Sequence, residues 1–189
     1  MANILYGING EGSGHWVRSK EVIYYLRDLG HNVTIVCSGR ATPNLQNDYA
    51  VTEIAGFSFK FIEGRIDKSK TLWHNVMKMP RFAKSFKVVS ALITEKKIDR
   101  VITDFEPISC AVANIRGLPV ISVDNMHFIT GTDVSLPPGF DPRAEATKAV
   151  ISLMTPGAMK YFALSFFQAE SKDDKTVVVP PILRKKVLL

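Results

Sequence analysis

The sequence predicts an α/β fold, namely a Rossmann-like, doubly wound, mostly parallel sheet with helices on both faces. Short apolar runs alternate with segments of helical periodicity along the 189 residues. The first apolar run leads directly into a glycine-rich turn, as in ligand-binding α/β domains. A hydrophobic content of 46% is typical of a packed globular domain.

The first βαβ unit is the clearest part of the pattern. Asn3–Ile8 and Asn32–Cys37 are apolar, β-branched runs that predict parallel strands. Between them, residues 15–29 carry apolar side chains at helical spacing, and Gly30 follows as a helix stop. Together they form the shortest unit that joins parallel strands through a helix.

Later segments continue the alternation. Two proline residues, Pro180 and Pro181, end the last predicted strand, so we expect one domain over 1–181 and the start of an interdomain linker over 182–189. The remaining expected elements are strands at 49–55, 57–62, 100–103, 119–123, 161–167 and 176–179, helices at 71–96 (interrupted at Pro80), 108–116 and 143–154, and a loop at 137–139.

Composition bounds the function classes. The net charge of +6 is too mild to indicate nucleic-acid binding. Cys37 and Cys110 lie in apolar runs without metal-ligand spacing, which predicts buried reduced thiols and no metal site. The N-terminus lacks the features of a signal peptide, and no run of about 18 apolar residues is present, so the expected location is the cytoplasm.

The glycine-rich turn departs from nucleotide-binding fingerprints. Counting from Gly10 and Gly12, a dinucleotide loop needs a third glycine where His15 stands. The acidic ribose partner is also missing after the second strand, although Ser38 and Arg40 there leave an NADP-linked oxidoreductase as an alternative. No Gly-Lys-Ser/Thr follows, which excludes a phosphate-binding P-loop.

His15 is the unusual residue of the turn. A histidine at the mouth of a parallel sheet can act as a base near neutral pH, and the alternative is a capping or packing role. Polar residues after two later strands converge on the same sheet edge. They are Asp104, Glu106, Asn125 and His127. Asp104 could instead cap the helix that follows, and His127 could instead hydrogen-bond within a turn.

Three motifs together resemble a known family. They are Gly-x-Gly-Ser-Gly-His-x-x-Arg, ending at Arg18; Asp-Arg-Val-Ile-Thr-Asp-Phe-Glu-Pro over 99–107, with Gly-Leu-Pro-Val-Ile-Ser after its helix; and Asp-Asn-Met-His over 124–127. They are similar to the N-terminal, acceptor-binding domain of bacterial GT-B glycosyltransferases. The resemblance is greatest to UDP-glycosyltransferases and the lipid-linked N-acetylglucosaminyltransferase of peptidoglycan synthesis, and covers residues 1–181.

The resemblance implies a mechanism for the turn. His15 would remove the proton of an acceptor hydroxyl, and Asp104 would orient the imidazole, with Glu106 as the alternative partner. No cofactor or metal is implied. The residues expected to bind substrate are Gly12, Ser13, Gly14, Arg18, Glu106, Asn125 and His127.

The resemblance also implies partners. The donor would be a nucleotide sugar held mainly by a C-terminal domain that residues 1–189 do not include, so this domain alone is expected to be inactive. The alternative is a non-catalytic module that binds a sugar or nucleotide, or forms a homodimer through the face that a second domain would cover.

Residues 60–100 are strongly basic, with eleven Lys and Arg against four acidic residues, a net charge of +7. Trp73, Met77, Met79, Phe82 and Phe86 are interleaved with them. One interpretation is an amphipathic helix that packs on the sheet and exposes a basic face. The other is peripheral contact with an anionic membrane, which would give access to a lipid-linked acceptor.

Overall fold

The computed structural model describes residues 1–62, 65–133 and 141–184. The strands are β1 Asn3–Ile8, β2 Asn32–Cys37, β3 Val51–Glu53, β4 Phe61–Ile62, β5 Arg65–Ile66, β6 Arg100–Asp104, β7 Val120–Asp124, β8 Lys160–Leu164 and β9 Thr176–Val179. The helices are α1 Ser13–Asp28, α2 Ala41–Gln46, α3 Lys68–Met77, α4 Met79–Glu95, α5 Pro107–Ile115, α6 His127–Gly131 and α7 Asp141–Met154.

Within the described ranges, seven strands form one parallel sheet in the order β3-β2-β1-β6-β7-β8-β9. From β1 the chain proceeds outward through β2 and β3, then returns to place β6 on the other side of β1. β4 and β5 form a separate antiparallel pair. The sheet therefore reverses direction between β1 and β6, where open α/β sheets form their ligand crevice.

Apolar side chains of the central strands alternate between two cores. Leu5 belongs to the cluster that contains Val89 of α4 and Val112 of α5. Its neighbour Tyr6 belongs to the opposite cluster, which contains Ile23 of α1. Because successive strand residues point to opposite faces, each side of the sheet is covered by helices.

The predicted fold class is confirmed, and most predicted elements are present. The interruption at Pro80 is confirmed, since α3 ends at Met77 and α4 begins at Met79. The strand expected at 49–55 shortens to Val51–Glu53, and the strand expected at 57–62 is reduced to β4. The short helices α2 and α6 were not predicted, because five or six residues carry too little periodicity. The loop at 137–139 lies outside the described residues.

Candidate active site

The carboxyl ends of β1 and β6 are joined at the point where the sheet reverses. The backbone N–H of Asn9 donates to the carbonyl of Asp104 at 3.1 Å, one step beyond the paired strands. The Asn9 side-chain amide donates to the carbonyl of Phe105 at 2.9 Å. Asn9 thereby fixes the glycine-rich turn to the end of β6. Sequence reasoning did not select Asn9.

Glycine is required where two turns meet. A Cβ on Gly10 would lie 1.9 Å from the carbonyl oxygen of Ser38, the residue after β2. The Gly10 N–H also donates to Ser38 Oγ at 3.0 Å. Gly12 has a φ of 92°, a left-handed value that glycine adopts without strain, and helix α1 starts at the next residue. The close approach and the positive φ set the entry angle of α1.

The first turns of α1 bring His15 to the end of β6. His15 Nδ1 lies 2.7 Å from Asp104 Oδ1, and the Asp104 side chain is fully buried. The imidazole is 14% exposed, and its Nε2 has no hydrogen-bond partner among the described residues. The pairing expected from the sequence is therefore present in the geometry.

Arg18 and Ser19 complete the coordination of Asp104. Arg18 donates through Nε to Oδ2 at 2.7 Å and through Nη2 to Oδ1 at 2.5 Å, and Ser19 Oγ donates to Oδ2 at 3.0 Å. Burial by itself lowers the pKa of the Arg18 guanidinium, but the charge and hydrogen bonds of Asp104 raise it above its usual value. Ser19 was missed by sequence reasoning, although it stands four residues after His15, on the same helix face.

These contacts assign the tautomer of His15. The Asp104 carboxylate, paired with the permanent Arg18 cation, only accepts hydrogen bonds, so Nδ1 must carry the proton. Arg18 Nη2 also lies 2.8 Å from Nδ1, and with a protonated Nδ1 this is a contact rather than a hydrogen bond. The lone pair is then on Nε2, in the orientation that a general base requires.

A second histidine–aspartate pair follows β7. His127 Nδ1 lies 2.8 Å from Asp124 Oδ2, and Thr155 Oγ1 lies 3.2 Å from His127 Nε2. Asp124 also accepts hydrogen bonds from the N–H groups of Met126 and His127 at 2.7 and 2.9 Å. Burial alone raises the pKa of Asp124, but hydrogen bonding and charge from His127 lower it overall. This geometry favours the turn-stabilising role for His127.

Phe105 lies between the two pairs. Its ring is stacked with that of His15 and packs edge-on to that of His127, with centroids 6.3 Å away in both cases. Phe105 has a φ of 57°, the left-handed region that non-glycine side chains rarely adopt. That conformation turns the chain sharply between Asp104 and Glu106, so their side chains have different surroundings.

Glu106 is not brought to His15. Its buried carboxylate caps helix α5, accepting from the N–H groups of Ile108 at 2.9 Å and Ser109 at 2.7 Å. Burial raises the pKa of Glu106 despite these donors. A Cβ on Gly7 would lie 2.1 Å from Ser109 Oγ, so the capped end of α5 packs closely over β1. The capping alternative proposed for Asp104 thus describes Glu106.

The remaining residues expected to bind substrate are at the surface. Gly12, Ser13 and Gly14 are exposed at the start of α1, where no side chain caps the helix. Asn125 is exposed after β7, and its side-chain oxygen lies 3.4 Å from Arg18 Nη1. Arg18 therefore links the ends of β6 and β7, in addition to pairing with Asp104.

A cavity of about 190 Å³ lies beside the glycine-rich turn, between the ends of β2 and β3 and the α3–α4 junction. Its lining includes Gly10, Ser38, Phe57, Lys78 and Arg81. Lys78 Nζ donates to Ser58 Oγ at 2.6 Å and to the Gly56 carbonyl at 3.2 Å. Burial lowers the pKa of Lys78, the charge of Glu11 opposes this, and the charges of Lys60 and Arg81 lower the pKa further. The sequence motifs did not indicate this cavity, since its lining comes from segments that are separate along the chain.

Neither metal binding nor membrane crossing is indicated in the described ranges. No three His, Cys, Asp or Glu side chains there are grouped as metal ligands. No helix in those ranges combines the length and apolar character needed to cross a bilayer.

Solved glycosyltransferases share this architecture. MurG of Acinetobacter baumannii matches with a TM-score of 0.54 and 12% identity over 95% of this chain and 44% of its own. The calicheamicin glycosyltransferase CalG4 matches with a TM-score of 0.56 and 12% identity, over 95% of this chain and 53% of its own. The spinosyn forosaminyltransferase SpnP matches with a TM-score of 0.56 and 12% identity, over 96% of this chain and 51% of its own. These likenesses show the fold, which is the Rossmann-like fold of GT-B glycosyltransferases.

The chain belongs to glycosyl transferase family 1, whose family model matches residues 2–189. It spans about half the length of the solved glycosyltransferases that it resembles. A search of curated proteins gives no match.

Proposed function

We propose that this chain is the acceptor-side, N-terminal domain of a glycosyltransferase that moves a sugar from a nucleotide-sugar donor to an acceptor hydroxyl. The observation that carries the proposal is the His15–Asp104 pair. His15 Nδ1 lies 2.7 Å from Asp104 Oδ1, while Nε2 of the same ring has no partner among the described residues. Family membership supports this activity over an NADP-linked oxidoreductase.

The proposed reaction is a single displacement. The acceptor hydroxyl attacks the anomeric carbon of the donor sugar as His15 Nε2 takes the hydroxyl proton. The new carbon–oxygen bond forms while the bond to the nucleoside diphosphate breaks, and the diphosphate leaves with the bonding electrons. Asp104 keeps the imidazole in the required tautomer and stabilises the imidazolium that forms.

The acceptor would lie at the edge of the sheet next to His15. The cavity beside the glycine-rich turn includes Gly10 of that turn in its lining, and Lys78 and Arg81 stand there together with the acidic residues Glu11 and Glu53. The exposed turn residues Gly12, Ser13 and Gly14 border the same edge.

The donor would be held by residues beyond this domain. A solved relative in fold, the Streptomyces glycosyltransferase SsfS6, is complexed with thymidine diphosphate and matches at a TM-score of 0.50 and 16% identity. Residues 1–189 correspond to about half of such enzymes, so we propose that this domain is inactive by itself.

The test is turnover with nucleotide-sugar donors, compared between the complete natural polypeptide and residues 1–189 expressed alone. We expect transfer only from a polypeptide that continues about 150–200 residues further, the size of one more domain. A natural polypeptide that stops at Leu189, and binds a sugar or nucleotide without turnover, would instead identify a stand-alone binding module.

A further inference from the structure

Helix α3 is attached to the domain through polar contacts. The buried side chain of Asn75 donates to the Ser58 carbonyl at 2.8 Å and accepts from the Ser58 N–H at 3.1 Å. The buried hydroxyl of Thr71 accepts from the Lys60 N–H at 2.9 Å. The side of α3 that meets the protein is therefore polar.

The opposite side of α3 is apolar and exposed. We call this the α3 surface, and it comprises Leu72, Trp73, Val76, Met77 and, at the start of α4, Met79. Their exposed fractions are 67%, 68%, 47%, 64% and 59%. A surface helix normally buries its apolar side and exposes its polar side. The reversed arrangement, with large apolar residues adjacent to one another, indicates a surface that contacts something else.

Helix α4, which follows directly, has the usual arrangement. Val89 and Ile93 are buried in the core below the sheet, and Phe82 and Phe86 pack against the same cluster. The amphipathic-helix interpretation of the basic segment thus describes α4, but it does not describe α3.

The surroundings of the α3 surface are cationic. Residues 68–94 contain six Lys and Arg and no Asp or Glu. Lys60, Lys70, Arg81 and Lys84 are exposed. The nearby acids are Asp67, which caps α3 by accepting from the Lys70 N–H at 2.8 Å, and Glu11, whose charge acts on Lys78, so the basic residues outnumber them.

We propose that the α3 surface docks onto an anionic lipid bilayer. Trp, Leu and Met side chains next to lysines are the composition of helices that lie in the bilayer interface. A helix of ten residues is about 15 Å long, half the hydrocarbon thickness, so α3 would lie in the membrane plane. The cations select an anionic surface, and each basic residue near it contributes about 1 kcal/mol at low salt.

This inference does not depend on the proposed transfer reaction, since binding to vesicles is measured without turnover. Lys78 and Arg81 line the cavity beside the glycine-rich turn and also adjoin the α3 surface. A docked domain would therefore place the proposed acceptor site close to the headgroups, where a lipid-linked acceptor is presented.

The test is co-sedimentation of the natural protein with phosphatidylcholine vesicles at low and at high salt. Each salt condition is measured with and without about one third phosphatidylglycerol, the anionic lipid, in the vesicles. We expect retention on the anionic vesicles at low salt and release at high salt. The double variant Trp73→Glu/Met77→Glu should weaken retention by at least about tenfold, given the apolar area that two such side chains bury.

A matched control introduces the same charge elsewhere. Ile115 and Leu153 are 74% and 78% exposed, and Ile115→Glu/Leu153→Glu should leave retention unchanged.

In the Trp16→Phe variant Trp73 is the remaining tryptophan, and its fluorescence emission should shift to the blue on anionic vesicles. Wild-type protein that stays in the supernatant with anionic vesicles at low salt overturns the proposal, as does an equal loss in the control pair. Both double variants are also compared by thermal unfolding, which should match the wild type.

Discussion

Two histidine–aspartate pairs stand at the ends of neighbouring strands, and they differ in what the second ring nitrogen does. At the end of β6, His15 Nε2 has no partner among the described residues. After β7, His127 Nε2 is 3.2 Å from Thr155 Oγ1, and the ring lies against Tyr161 with centroids 4.3 Å apart. The same two residue types leave one ring nitrogen without a partner among the described residues in one place and form a closed internal network in the other. What surrounds the pair decides its chemistry.

The comparison predicts opposite responses to loss of each histidine. In the complete polypeptide, His15→Ala should reduce turnover by about 10²–10⁴-fold, the usual contribution of a general base, with donor binding nearly unchanged. Steady-state kinetics and donor titration measure both. His31, at the amino edge of the sheet, provides the control, since His31→Ala should retain turnover. If the His15 variant turns over within about threefold of the wild type, His15 is not the base.

Asp104→Asn should affect both turnover and stability. Arg18 would lose its buried counter-charge, and removal of one partner from a buried ion pair costs about 3–5 kcal/mol. Chemical denaturation measures the free energy of unfolding. The control Asp48→Asn breaks an exposed pair with Lys20 and should cost less than about 1 kcal/mol. An Asp104 variant as stable as wild type would show that Arg18 finds another partner.

His127→Ala should mainly lower stability. The variant removes two ring hydrogen bonds, so Asp124 Oδ2 and Thr155 Oγ1 lose the imidazole, at a cost of about 1–3 kcal/mol in the free energy of unfolding. Turnover at a temperature where the variant is folded should stay close to that of the wild type. A variant that folds normally and loses turnover would instead place His127 among the substrate-binding residues.

The pH dependence of stability should distinguish the closed pair. The folded-state pKa of Asp124 lies below its unfolded value of about 4, so its contribution to stability is present above that pH and is lost as the pH falls further. The stability difference between wild type and Asp124→Asn should therefore shrink as the pH falls from neutral through the unfolded pKa of about 4 and below it. Urea titrations across this range measure it. A stability difference that does not change with pH would show that Asp124 has the same pKa in the folded and unfolded states.

Sequence reasoning located much of the site because it relied on strand ends. The glycine-rich turn and the motif over 99–107 each follow a short apolar run, and parallel strands direct their carboxyl ends to one edge. That rule placed His15 and Asp104 at the same edge, the family resemblance implied that they pair, and His15 Nδ1 lies 2.7 Å from Asp104 Oδ1. Their catalytic roles stay predictions. Arg18 was expected to bind substrate, and in the described structure its guanidinium pairs with the Asp104 carboxylate.

The parts that sequence could not predict depend on contacts between distant segments. Nothing in the local pattern distinguishes Glu106, which caps α5, from Asp104, two residues earlier. The left-handed Phe105 separates them, and its conformation is stabilised by packing and by the Asn9 side chain. Helix α3 is a second example. Its periodicity predicted a helix, but did not predict which of its sides faces the protein.

The sequence by itself determined the glycine-rich turn, the alternation of strands and helices and hence the sheet edge at which we propose that the chemistry takes place. Those features depend on local periodicity and on the conformations that glycine permits. Only the tertiary structure decided which histidine keeps a nitrogen without a partner in the described part of the chain and which is enclosed, because Thr155 reaches His127 from 28 residues away along the chain. Burial and hydrogen-bond partners belong to the folded arrangement, and they set the chemistry of each pair.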